Sequence, residues 1–71
     1  MYSKIKKVSA NIRRIRESLN YSQDYVAMKA HISQNSYSKI ELGYSKISLE
    51  RFFLIADALG VDYSLLLEPN D

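Results

Sequence analysis

Cysteine and tryptophan are absent from the 71-residue chain, proline occurs once and glycine twice. Without cysteine there are no disulfides and no thiolate metal sites. A domain near the lower size limit for unaided folding must then rest on packing, to which self-association can add. The same absence suits a reducing compartment, and a cytoplasmic location is the expectation. No apolar run follows the basic N-terminus, so neither a secretory signal nor a membrane span is expected. No repeat, low-complexity tract or linker interrupts the chain, which reads as one domain over 1–71. With so few breakers, Gly43, Gly60 and Pro69 act as punctuation. An enzyme is not expected: His31 stands alone, and the acids form no pair or metal-ligand spacing. No cofactor is implied.

Net charge is only +2, but its distribution is uneven. Residues 1–47 carry nine Lys or Arg against Glu17, Asp24 and Glu41, a balance of +6. Residues 48–71 carry Arg51 against Glu50, Asp57, Asp62, Glu68 and Asp71, a balance of −4. A polyanion would meet the first two-thirds of the chain.

Between the punctuation the apolar spacing is helical. Val8, Ile12, Ile15 and Leu19 fall at i, i+4, i+7 and i+11, one face of a helix whose other face carries Arg13, Arg14 and Glu17. Asn20-Tyr21 breaks the pattern. Ser22 is a natural N-cap, its hydroxyl accepting from free backbone N–H groups, and Asp24 sits where the helix dipole favours an acid. Val26, Ala27 and Ala30 face inward from this second helix. A short turn, Ala30-His31-Ile32, leads to a second cap, Ser33. Tyr37 and Ile40 line the inner face of the third helix, which Gly43 ends. Ser48 caps a fourth, with Leu49, Phe52, Phe53, Ile55, Ala56 and Leu59 as its apolar positions. Gly60 suits a left-handed C-terminal residue. Asp62 caps a last short helix through Leu65, Leu66 and Leu67, closed by Pro69. The expectation is an all-α domain of five helices.

The first exposed turn of the third helix carries function-bearing chemistry. Gln34 and Asn35 are amides, and an amide pairs bidentately with adenine N6 and N7. Ser36 can donate to a base or phosphate. Lys39, one turn on, can reach guanine or a phosphate. The following loop, Tyr44-Ser45-Lys46, offers two hydroxyls, a charge and free N–H groups to a nucleic-acid backbone.

From Arg16 to Leu67 the chain resembles the phage repressor and Cro-type (XRE) helix-turn-helix family. The matching stretches are Tyr21-Ser22-Gln23-Asp24-Tyr25-Val26-Ala27 and Ile32-Ser33-Gln34-Asn35-Ser36-Tyr37-Ser38-Lys39-Ile40-Glu41-Leu42-Gly43. Ser48-Leu49-Glu50 and Ile55-Ala56-Asp57-Ala58-Leu59-Gly60-Val61 follow at the right spacing. The resemblance implies a five-helix lambda-repressor-like fold, with the helix-turn-helix at about 22–42 in helices 2 and 3. It implies a sequence-specific double-stranded DNA-binding regulator, a repressor on a palindromic operator. Gln34, Asn35, Ser36, Ser38 and Lys39 would face DNA, Gln23 would grip a phosphate, and Tyr44, Ser45 and Lys46 would clamp the backbone. Arg16 and Glu41 would form a structural ion pair between the first and third helices.

The chain departs from the family at three places. His31 stands where glycine is common, and histidine tolerates positive φ better than most residues. Tyr37 replaces an aliphatic residue, its ring expected inward with the hydroxyl reaching the surface. Ile47 replaces a frequent proline. Leu54 and Leu65 fall where the family is commonly polar. With Tyr63 and Leu66 they suggest the apolar patch through which C-terminal helices of the family pair into homodimers. Other roles fit the same scaffold: a restriction–modification controller, an antitoxin whose partner is a toxin, a standalone regulator, or the head of a longer regulator. The polar ending Glu68-Pro69-Asn70-Asp71 resembles the start of a linker.

Overall fold

The computed structural model describes the backbone of residues 2–69 and the side chains from Lys4 onward; Asn70 and Asp71, half of the suggested linker start, lie outside the described residues. Helices α1 (Tyr2–Ser18), α2 (Gln23–Lys29), α3 (Gln34–Leu42) and α4 (Leu49–Leu59) precede a 3₁₀ helix, Tyr63–Leu67. No strand occurs among the described residues. The fifth helix is thus a tighter turn than the α-helix expected. Asp62 still caps it, accepting from the Ser64 N–H at 2.9 Å.

Local chemistry sets each boundary. Ser22, Ser33 and Ser48 accept from the N–H groups of Tyr25, Ser36 and Arg51 at 3.0, 3.1 and 3.1 Å, which satisfies donors that have no intrahelical partner. All four α-helices end in one way. A residue at positive φ (Asn20 60°, His31 59°, Gly43 77°, Gly60 71°) turns the chain back. Paired N–H groups then close on the last turn, as in Gly43 N–H to Ile40 O and Tyr44 N–H to Lys39 O at 3.0 and 3.1 Å. His31 therefore adopts the left-handed backbone its position demands.

The core joins Ile12 and Ile15 of α1, Val26 and Ala27 of α2, Tyr37 and Ile40 of α3, and Ile55, Ala56 and Leu59 of α4. Several expectations are corrected. Leu19 lies past the end of α1 and is exposed. Leu49 and Phe53 are 70% and 41% exposed, because α4 packs on the stripe Phe52, Ile55, Ala56 and Leu59 and cannot turn both sides inward. Leu66 is fully buried and is core, not surface; Leu54 is half-buried against the same core. Leu66 is not free to serve as an exposed dimer contact, whereas Leu54 keeps a partly exposed side chain and Tyr63 and Leu65 remain exposed. Asn11 is buried beside the apolar stripe. Its amide donates to Leu66 O at 3.0 Å and Glu68 O at 2.7 Å, fastening the last segment to α1.

Candidate nucleic-acid interface

The turn between α2 and α3 is short and fully bonded. Ile32 N–H reaches Ala27 O at 2.9 Å, and Ser33 then starts α3. Tyr37, Ile40 and Glu41 form the buried side of α3. On a 3.6-residue period Asn35 and Lys39, four residues apart, lie opposite that side, with Ser36 and Ser38 on its two flanks. Gln34, Asn35 and Lys39 are exposed, while Ser36 and Ser38 are half-buried. A helix of this width presenting amides on one side fits a major groove about 12 Å wide. Beyond Gly43, Tyr44 and Lys46 are exposed and Ser45 is half-buried. The structure thus brings eight of the proposed contact residues, from Gln34 to Lys46, onto α3 and the loop after it.

Gln23 is placed differently. Its amide is turned onto Glu41, donating to Oε1 at 3.0 Å. One N–H is therefore committed inside the protein, and the second is what remains for a phosphate.

What holds α3 is a charged network in the interior. Arg16 donates from Nε to Glu41 Oε2 at 2.7 Å and from Nη2 to Oε1 at 3.1 Å. Its Nη1 donates to Tyr21 O at 2.7 Å. The Glu41 side chain is only 1% exposed and that of Arg16 12%. One guanidinium therefore ties α1, the turn before α2, and α3 together. Burial works against the Glu41 carboxylate, but the bonds from Arg16 and Gln23, with the Tyr37 hydroxyl close by, outweigh it, so its pKa falls below the ordinary value. The bond to Glu41, against the cost of burial, raises that of Arg16. Because desolvation of both charges offsets much of the attraction, the network fixes the direction of α3 more than it adds stability.

Tyr37 is the other correction. Its ring packs inward, but its hydroxyl does not reach the surface. The side chain is fully buried, and the hydroxyl has no partner in full hydrogen-bond geometry, although it lies near enough to Glu41 to feel its charge. Burial first and the neighbouring carboxylate second push its pKa far above the usual phenol range. It cannot contact DNA.

Two features escaped the sequence reading. Asn11 could have been seen, because it falls at i+3 from Val8, inside the stripe that was read as wholly apolar. The exposed apolar face of Leu49, Phe53 and Leu67 could have been suspected from α4, which has more apolar positions than one buried stripe can hold. No group of acids or histidine able to hold a metal ion occurs among the described residues. No helix there is long and apolar enough to cross a membrane.

An exposed polar stripe on the second of two capped helices, α2 and α3, with α3 locked to α1 by an ion pair, defines a helix-turn-helix DNA-binding unit. The chain belongs to the helix-turn-helix family, whose model matches residues 12–66, and is a DNA-binding transcription regulator of the XRE type. No curated protein sequence matches it. Solved structures similar to this chain include three regulators or presumed regulators by their descriptions. The restriction-modification controller protein C.AhdI from Aeromonas hydrophila shares 22% identity at a TM-score of 0.86, over 90% of this chain and 97% of that one. The clp gene regulator ClgR from C. glutamicum shares 22% at 0.85, over 89% and 82%. A hypothetical transcription factor, NHTF from Neisseria, shares 27% at 0.87, over 93% and 76%.

Proposed function

We propose that this protein is a cytoplasmic repressor that binds a palindromic operator as a homodimer and catalyses no reaction. The observation that carries the reading is the exposed set of Gln34, Asn35 and Lys39 on a helix whose direction a buried ion pair fixes. Such a set reads only a few base pairs, too few to mark one genomic site, and two-fold symmetry doubles the readout. The regulatory roles named for C.AhdI, ClgR and NHTF support a place in gene control. Selection from random duplex DNA tests it. The expected result is a palindrome with half-sites about one helical turn apart, bound with an affinity that falls steeply with salt, about 0.9 in log K per log salt for each phosphate neutralised. A reporter carrying the selected site at its promoter should be silenced. No enriched sequence, or an affinity indifferent to salt, would sink the reading.

A further inference from the structure

A cleft of about 310 Å³ runs along the outer side of α1, where the last turn of α3 abuts it. Ala10 and Leu42 give it an apolar wall, and Lys6, Arg13 and Arg14 stand around it. The Lys6 stem crosses the end of α3: a Cβ at Gly43 would stand 3.2 Å from Lys6 Cγ. Arg13 commits Nε to Glu17 Oε2 at 3.3 Å, and Arg14 commits Nη2 to Asn11 Oδ1 at 3.2 Å. A guanidinium has five N–H donors, so most of each fork is left for another acceptor. Ser9 also lines the cleft. It is 2% exposed, and its hydroxyl has no hydrogen-bond partner. Buried hydroxyls are normally bonded, so an unbonded one asks for an explanation. Because Ser9 borders the cleft, a turn about χ1 presents that hydroxyl to a guest.

We propose that this cleft binds a small phosphate monoester, about the size of a nucleoside monophosphate, and that its occupation loosens the grip on DNA. The site stands apart from the DNA-binding reading, and only its effect on DNA rests on that reading. Two arginines and a lysine beside a hydroxyl donor are the groups that hold phosphate oxygens. The apolar wall selects the carrier. Ala10 and Leu42 offer surface to a base or ring, which a duplex backbone of sugar and phosphate does not fill. Glu17 and Glu41 also border the cleft and would repel a continuous row of phosphates. A single phosphate can be seated among the cations instead. The proposed reading amides stand on the first turn of α3 and the cleft at its last, so a guest leaves the base edges open.

The coupling runs through charge. Glu17 Oε2 lies 3.3 Å from Arg13 Nε and 3.9 Å from Arg16 Nη2. Arg16 in turn holds Glu41 at 2.7 Å. A phosphate that takes Arg13 leaves Glu17 with Arg16 as its remaining cation. Glu17 then draws the guanidinium outward, away from Glu41, and the bond that sets the direction of α3 weakens. An amide no longer aimed at its base edge reads it poorly. By linkage the operator must weaken the binding of the guest by the same factor.

Titration of the full chain with adenosine monophosphate, followed by amide NMR, tests the site, with sodium chloride at matched ionic strength as the control. Shifts are expected at Lys6, Ser9, Ala10, Arg13 and Leu42. Inorganic phosphate should bind the same place more weakly, having nothing to lay on the apolar wall. In gel shifts at constant ionic strength, saturating adenosine monophosphate should weaken binding of the selected operator by about fivefold or more. Arg14→Gln should lose both the nucleotide and its effect. Ser9→Ala removes only an unbonded hydroxyl and should weaken the nucleotide about fivefold, which keeps the test valid if Arg14→Gln misfolds. Glu17→Gln has no charge to draw Arg16 aside, so it should take the nucleotide without an operator response. Shifts centred on Gln34, Asn35 and Lys46 would put the phosphate on the DNA surface and overturn the site. A salt slope reduced by about 0.9 in Arg14→Gln without nucleotide would make the cleft a seat for the duplex backbone and overturn the guest. Nucleotide bound with operator affinity unmoved overturns the coupling. If no DNA is bound at all, the functional reading fails, whereas the titration still decides the site.

Discussion

The two ends of the molecule invert each other. Around α3 the surface is polar and the interior charged: amides and a lysine point outward over a guanidinium and a carboxylate sealed inside. Around α4 and the 3₁₀ helix the interior is apolar apart from the Asn11 amide, and so is much of the surface. At the first end, direction matters, because a base edge is read only by a donor aimed at it. A buried ion pair is poor value as stabilisation but strict about geometry. At the second end the surface chemistry matters, and the core beneath need only be firm.

The difference can be broken from either side. The largest effect expected is from Glu41→Ala, which strands the Arg16 guanidinium. It should cost about 3–5 kcal/mol in urea unfolding, a large share of what a domain this small holds. By contrast Leu49→Ala, at the other end, should stay within about 0.5 kcal/mol. Equal costs would mean that the interior charge has no special role in holding α3. Next come the reading residues. Asn35→Ala or Gln34→Ala should lose about 1–3 kcal/mol on the preferred site in gel-shift titration and relax discrimination there, with the unfolding midpoint unmoved.

A smaller effect is expected with acid. The folded-state pKa of Glu41 lies below its ordinary 4.5, so the unfolded chain takes up the proton first as pH falls. The stability this group supplies is complete above pH 4.5 and is lost below it. Glu41→Gln should flatten that part of the stability profile, measured by urea unfolding between pH 5 and about pH 3. Smallest is Lys46→Ala, which should weaken binding to all sequences alike and reduce the salt slope by about 0.9. A changed base preference in that variant would move Lys46 from backbone contact to base contact.

The reading end was the more legible in the sequence. Serine caps, helical apolar spacing and glycine stops are local signals, and the helices they bound form as expected. Amides on the first turn of α3 are likewise visible without knowing what packs where. The other end was less legible because the six apolar positions named on α4 cannot all turn inward, and which of them do only three-dimensional packing settles. Leu66 shows the same limit. In a run of three leucines nothing local says which one the core takes, and the answer came from the tight turn that places Leu66 under α1. The Tyr37 hydroxyl was missed for a related reason: its depth depends on Glu41, and Glu41 on Arg16, twenty-five residues earlier.

The amide of Asn11 holds the backbone of Leu66 and Glu68, residues separated from it by 55 and 57 positions. The consequence lies in the order of synthesis. A chain made from its N-terminus has α1, α2 and α3 long before it has the residues that cover them. Until Glu68 leaves the ribosome, the Asn11 amide N–H groups lack the carbonyls they hold in the fold, and the pocket for Leu66 stands open. The nascent chain therefore carries Ile12 and its neighbours incompletely covered until that segment emerges, and the wait is the interval in which chaperones can hold it and proteases can cut it.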